Sequence, residues 1–173
     1  MATTIHLVLG GARSGKSDYA EQKAQAYGGD GCLYVATAEA RDQEMKQRVE
    51  AHRRQRNPRW QTLEASQNLG SCIVNHADSP CILVDCLTLW LSRSLEAGTW
   101  ATEKASFLDA LRQAPTTIVM VSNEVGCGIV PMGQLTREFV DETGWLHQDV
   151  AAIATDVTMV VAGLPQCLKA AAP

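Results

Sequence analysis

The stretch Gly10-Gly11-Ala12-Arg13-Ser14-Gly15-Lys16-Ser17 leaves this chain few folds to choose from. It fits the pattern G-x-x-x-x-G-K-[ST] at every fixed position. In front of it lies a short apolar run, Ile5-His6-Leu7-Val8-Leu9, that reads as a buried strand. Behind it a helical pattern starts near Lys16 and runs to about Tyr27, where Gly28-Gly29 stops it. Glycines let backbone N–H groups converge on one concavity, and the helix N-terminus adds partial positive charge there. Lys16 then reaches the β- and γ-phosphates of a bound ATP or GTP, and the Ser17 hydroxyl can ligate Mg²⁺.

The rest of the chain repeats the strand–helix alternation. Further strands are expected at Cys32 to Ala36, Trp60 to Leu63, Cys81 to Val84, Thr116 to Val121 and Val157 to Val161. Helices are expected at Arg41 to about Arg56, Gln67 to His76, Leu87 to Leu95, Thr102 to Gln113 and Leu135 to Ile153. Gly126 to Gly133 reads as a loop, and Gly163 and Pro165 as breaks after the last strand. Near-continuous apolar strands between helices require a mostly parallel sheet covered on both faces, hence an α/β fold. With no repeat, low-complexity tract or linker, residues 1–173 read as one nucleotide-binding domain.

Composition narrows the function classes. The net charge of −4 lacks the basic excess of a general nucleic-acid binder. No apolar run approaches the roughly 20 residues of a membrane span, and the first residues lack a signal-peptide pattern, so a cytosolic protein is expected. The 6 cysteines, Cys32, Cys72, Cys81, Cys86, Cys127 and Cys167, form no C-x-x-C pair or zinc spacing and read as buried free thiols.

Two further features carry chemistry. Asp85 directly follows the apolar run Cys81 to Val84, where a carboxylate can complete the magnesium shell; it can equally cap the next helix. In the basic stretch Arg48 to Arg56, the residues Arg48, His52 and Arg56 are spaced i, i+4, i+8 on one helix face. Such a face can grip a triphosphate and hold a neutral, nucleophilic imidazole, or it can be an ordinary solvated basic face. His6, His76 and His147 have no comparable surroundings, and His6 reads as structural.

At this point the residues resemble a known family, the bifunctional adenosylcobinamide kinase/adenosylcobinamide-phosphate guanylyltransferases of cobalamin biosynthesis. The likeness spans nearly the whole chain: Gly10 to Ser17, Tyr34-Val35-Ala36-Thr37-Ala38, the Arg48-Val49-x-x-His52 helix, Trp60 to Glu64, and Leu83 to Thr88. Its most specific piece is Val121-Ser122-Asn123-Glu124-Val125-Gly126-Cys127-Gly128-Ile129-Val130-Pro131. A nucleotide switch would instead carry N-K-x-D, and Asn123 is followed by Glu124.

The resemblance implies a RecA-like P-loop NTPase fold and two reactions. One phosphorylates adenosylcobinamide with ATP or GTP. The other transfers GMP from GTP to adenosylcobinamide phosphate through a guanylylated histidine. On this likeness His52 is the nucleophile and Lys16 its catalytic partner. Nucleotide contacts fall on Gly10, Gly11, Ala12, Arg13, Ser14, Gly15, Lys16, Ser17, Thr37, Ala38, Glu39, Arg53, Arg54, Gln55, Arg56, Glu64 and Asp85. Mg²⁺ falls on Ser17 and Asp85. Small-molecule substrates and a homotrimer are suggested. The chain departs from the family in having Ala51 before His52, where some members have two adjacent histidines, and His147-Gln148 where an Asn-Gln pair is common. Asp85 stands where some members have a glutamate, with a reach one methylene shorter.

Overall fold

A computed structural model describes residues 3–39, 43, 47, 50 and 56–170. The first strand, β1 (Ile5–Gly10), is buried along its length and leads through the glycine loop into helix α1 (Lys16–Gly28). The chain continues through β2 (Leu33–Ala36), β3 (Gln61–Glu64), α2 (Leu69–Asn75), β4 (Cys81–Asp85), α3 (Leu87–Glu96), α4 (Trp100–Gln113), β5 (Thr117–Asn123), α5 (Gln134–Ile153), β6 (Asp156–Val161) and β7 (Leu164–Lys169). Among the described residues seven strands form one sheet in the order β3-β2-β4-β5-β1-β6-β7. Every pairing is parallel except β6 with β7.

The period-two alternation of strand side chains divides the core into two layers. Ile5, Leu7, Leu33, Val35, Ile82, Val84, Ile118 and Met120 face α2, α3, α4 and α5. Val8, Tyr34, Leu83, Val119 and Val121 face the other way, against Ala20 and Ala24 of α1 and the indole of Trp60. The alanines bring α1 close to the sheet. At its end a Cβ on Gly28 would lie 2.6 Å from Cys81 Cβ and 2.7 Å from Cys32 Sγ.

On the four-helix side, Trp90 and Phe107 are fully buried and Trp100 packs edge-on to Trp90. Burying an indole requires a partner for its N–H. Trp90 Nε1 donates to Glu103 Oε2 at 2.9 Å, and the same carboxylate accepts the backbone N–H of Asn68.

The expected fold class holds: a mostly parallel sheet with helices on both faces. The expected elements are present with ends shifted by one to two residues; Gln43, Gln47 and Glu50 are helical within the expected Arg41 to Arg56 helix, whose other residues, Arg56 apart, lie outside the described ones. Two expectations are corrected. Gly163 and Pro165 do not end regular structure: Gly163, at φ 78°, turns the chain back into β7. An antiparallel edge strand tolerates proline, because one of its sides needs no ladder donor. Cys127 and Cys167 are exposed, whereas Cys32, Cys72, Cys81 and Cys86 are buried free thiols as expected.

His6 is structural, as expected: it is buried in β1 and its Nε2 meets Thr158 Oγ1 at 2.9 Å. Burial holds its pKa below the ordinary 6.5, with nearby Lys23 adding to this and Asp156 opposing it. The folded state therefore disfavours the imidazolium, which the unfolded chain accepts readily. Its contribution to stability is full above pH 6.5 and is lost as the pH falls from there through the folded pKa. Between about pH 7.5 and pH 5.5 the slope of Tm against pH should be less positive in His6→Gln than in the wild type, the other titrating groups acting alike in both. An unchanged slope in the variant would show that His6 is not the titrating group.

Candidate active site

The carboxyl ends of the parallel strands meet on one rim of the sheet, where open α/β sheets bind ligands. Gly10 pairs with Asn123 across β1 and β5, and Asp85 with Val121 across β4 and β5. Ala36 pairs with Asp85 on one side and Glu64 on the other. Asp85, Glu64, Thr37 and the glycine loop thus share that rim.

Two backbone features shape the loop. Gly15 caps α1 at φ 89°, a left-handed conformation that glycine adopts freely, and α1 has no side-chain cap. The first-turn N–H groups of α1 are therefore left for an anion. At Gly10, a Cβ would collide with the Ser14 hydroxyl and lie 2.7 Å from the Val160 carbonyl. Ser14 is buried there, its carbonyl accepts the Gly163 N–H at 2.8 Å, and its N–H donates to Gly11 at 3.3 Å. Lys16 Nζ donates to the Gly11 carbonyl at 3.1 Å, so the ammonium arches over the loop's mouth. Arg13 sits at φ 56° and is exposed, as is Ala12.

Across the rim, Asp85 Oδ2 accepts the Tyr34 hydroxyl at 2.7 Å. The Arg56 guanidinium lies over the Tyr34 ring, 3.5 Å from its centroid. Arg56 forms a bend rather than a further helical turn, two residues ahead of Pro58. Glu21, one turn beyond Ser17 on α1, joins this group: burial and the Asp85 charge push its pKa up to about 7, and Arg56 opposes the shift. Thr37 is locked between strands, donating to the Cys86 carbonyl at 2.7 Å and accepting the Cys86 N–H at 2.8 Å. That hydroxyl fixes the ends of β2 and β4, while Ala38 is half-buried and Glu39 approaches Arg93 at 3.6 Å. Cys86, beside Asp85, has its thiol pushed up to about 11 by burial and by that charge, which removes it as a nucleophile.

The loop, Asp85 and Arg56 are therefore brought together, with Thr37 as a tie beneath them and Glu64 exposed one strand further out. His52, Arg53, Arg54 and Gln55 lie outside the described residues. Sequence reasoning missed Tyr34 and Glu21, which resemble ordinary strand and helix residues until β2 is set beside β4. It also set His147 aside. The structure buries His147 on α5 with Nε2 2.8 Å from Ser122 Oγ and Nδ1 3.7 Å from Glu124 Oε2. The signal was the Ser122-Asn123-Glu124 string at a strand end, but its partner 25 positions away in sequence is visible only in the fold.

Among the described residues no cluster of three or more His, Cys, Asp or Glu side chains could hold a metal. Ser17 and Asp85 supply two hard oxygen donors, which suits a magnesium ion completing its shell with phosphate oxygens and water.

Residues 6–168 match the family described as cobinamide kinase / cobinamide phosphate guanyltransferase. The chain is 47% identical over 167 residues to the bifunctional adenosylcobalamin biosynthesis protein CobP of Pseudomonas aeruginosa, covering 94% of this chain and 96% of that protein. It is 39% identical to the bifunctional adenosylcobalamin biosynthesis protein CobU of Escherichia coli, covering 94% and 98%. Among solved structures it resembles the flagellar accessory protein FlaH of Methanocaldococcus jannaschii, with TM-score 0.55, 12% identity and coverage of 97% and 79%. It also resembles a KaiC-like protein of Pyrococcus horikoshii, with TM-score 0.51, 16% identity and coverage of 90% and 70%. These last two likenesses concern the fold alone, which is that of a RecA-like P-loop NTPase.

The packing at Gly10 generates a contrast with Gly11, where nothing lies within 4 Å of an added Cβ. Gly10→Ala should lose about 1–3 kcal/mol in denaturant unfolding, and Gly11→Ala should stay within about 0.5 kcal/mol. Equal losses would contradict the close approach of Ser14 and Val160.

Proposed function

Starting from the cobinamide kinase / cobinamide phosphate guanyltransferase family, to which this chain belongs and whose members are enzymes of those two activities, we propose that it phosphorylates adenosylcobinamide with ATP or GTP and transfers GMP from GTP to adenosylcobinamide phosphate through a guanylylated His52. The product is adenosyl-GDP-cobinamide.

The observation that supports this reading is the tie between Arg56 and Asp85 on the rim that also carries the phosphate loop. Arg56 closes the basic segment that contains His52, and it rests on Tyr34, whose hydroxyl is bonded to Asp85. Covalent geometry keeps the His52 Cα within about 14 Å of the Arg56 Cα. A nucleophile carried on that segment is thereby tethered near the loop. In the transfer step the His52 imidazole attacks the α-phosphorus, and the electron pair of the breaking bond leaves on pyrophosphate. The loop N–H groups, Lys16 and Arg53 to Arg56 offset the charge on the phosphate oxygens. An oxygen of the acceptor phosphate then attacks the GMP phosphorus, the P–N bond breaks and its electron pair returns to the His52 imidazole. In the kinase step the same loop presents the γ-phosphate to a hydroxyl. Ser17 and Asp85 would hold Mg²⁺, which supplies charge neutralisation between phosphate oxygens.

A cytoplasmic homotrimer belongs to the same reading. Val161, Leu164 and Leu168 stand exposed along the β6–β7 edge, and Ile129, Val130, Met132 and Leu135 are exposed around the loop before α5. Further copies of the chain would cover apolar surface of this kind. Among the described residues no helix is long and apolar enough to cross a membrane.

Incubation with α-labelled GTP should leave acid-labile, base-stable label on the protein, and His52→Ala should abolish it. Label retained by that variant would overturn the assignment of the nucleophile. Lys16→Ala should reduce both activities by about 100-fold or more. A spared kinase activity would place its nucleotide in a second site.

A further inference from the structure

Glu124 stands one residue past β5, the strand that runs between β1 and β4. Its neighbours on the rim are therefore the glycine loop on one side and Asp85 on the other. Its backbone N–H donates to the Gly10 carbonyl at 3.0 Å, which pins the residue to the start of the loop. A bare carboxylate in this position repels phosphate. What it can do at this rim is take a proton.

The carboxylate is hydrogen-bonded on one side and has an imidazole beside it on the other. Oε1 accepts the Gly126 N–H at 2.5 Å, and Gly126 leaves room for it, since a Cβ there would sit 3.0 Å from Oε1. Oε2 lies 3.7 Å from His147 Nδ1. The other ring nitrogen, Nε2, is 2.8 Å from the buried Ser122 hydroxyl. Burial holds the His147 pKa below its ordinary value, and Glu124 opposes that shift. In the tautomer in which the Ser122 hydroxyl donates to Nε2, the neutral ring carries its proton on Nδ1, facing Glu124. The Glu124 side chain keeps 23% of its surface open, so an acceptor can reach it.

We propose that Glu124 accepts the proton of the acceptor hydroxyl in the kinase step, and that His147 is the positioning residue that aims it. This rests on the kinase half of the proposed function. The hydroxyl oxygen forms a bond to the γ-phosphorus. The bond from that phosphorus to the bridging oxygen breaks, and its electron pair leaves on the nucleoside diphosphate. The hydroxyl proton passes to Glu124 and from there to water. Transfer of GMP needs no such base, because its acceptor is already a phosphate anion.

The two activities can be assayed apart, the kinase with adenosylcobinamide and the transferase with adenosylcobinamide phosphate. Glu124→Gln keeps the shape and the acceptor for Gly126. It should lower the kinase kcat by about 10²–10⁴-fold, with little change in nucleotide KM. GMP transfer should persist. His147→Gln should lower the kinase kcat selectively by a smaller factor, whereas a merely structural role would depress both activities together. A Glu124→Gln enzyme with undiminished kinase kcat, or with both activities reduced in parallel, would overturn the proposal. Wild-type enzyme that transfers GMP but phosphorylates no hydroxyl would remove the kinase reading, and this inference with it, before any variant is made.

Discussion

The close approach at Gly10 is the contact on which the site depends. Because Gly10 has no Cβ, the Ser14 side chain folds in against β1, and the loop between them closes tightly enough to aim successive N–H groups at one point. The Ser14 carbonyl receives the Gly163 N–H, so the turn between β6 and β7 braces the loop from behind. β1 is held in register by β5 on one side and β6 on the other. The loop therefore stands on a central strand and is braced by contacts within the chain itself. Preorganised donors of this kind lower the cost of stabilising phosphate charge.

Charge is arranged around that cradle in two acidic stations. Asp85 ends β4 and is tied to Tyr34 and, through the ring, to Arg56. Glu124 follows β5, accepts the Gly126 N–H and lies 3.7 Å from His147 Nδ1. The two carboxylates stand at the ends of the neighbouring strands β4 and β5, and Lys16 is bonded to the Gly11 carbonyl of the loop. Carboxylates near a triphosphate are unfavourable unless each has a cation or a proton to handle. Asp85 offers hard oxygen donors of the kind magnesium takes. Glu124 has His147 beside it and, on the proposal above, a proton to accept.

The P-loop and the strand–helix alternation were legible because they are local. Gly10 to Ser17 is a contiguous motif, and period-two burial appears as near-continuous apolar runs such as Cys81 to Val84. Asp85 was legible for the same reason, since a carboxylate after an apolar strand marks the rim. Tyr34, Glu21 and His147 were not, because their roles arise from neighbours far away in sequence: Tyr34 meets Asp85 only when β2 lies beside β4. β7 was hidden by Gly163 and Pro165, which read as breakers although an edge hairpin accommodates both. The basic segment was read from its charge pattern, and at Arg56 the structure shows a stacked bend in place of a continuing helical face.

A crystal structure with Mg²⁺ and a non-hydrolysable GTP analogue tests the central claim most directly. The β-phosphate should lie within hydrogen-bond distance of the N–H groups at the loop and the first turn of α1, with Lys16 Nζ moved from the Gly11 carbonyl onto phosphate oxygen. A nucleotide seated elsewhere, with Lys16 still bonded to Gly11, would contradict the account.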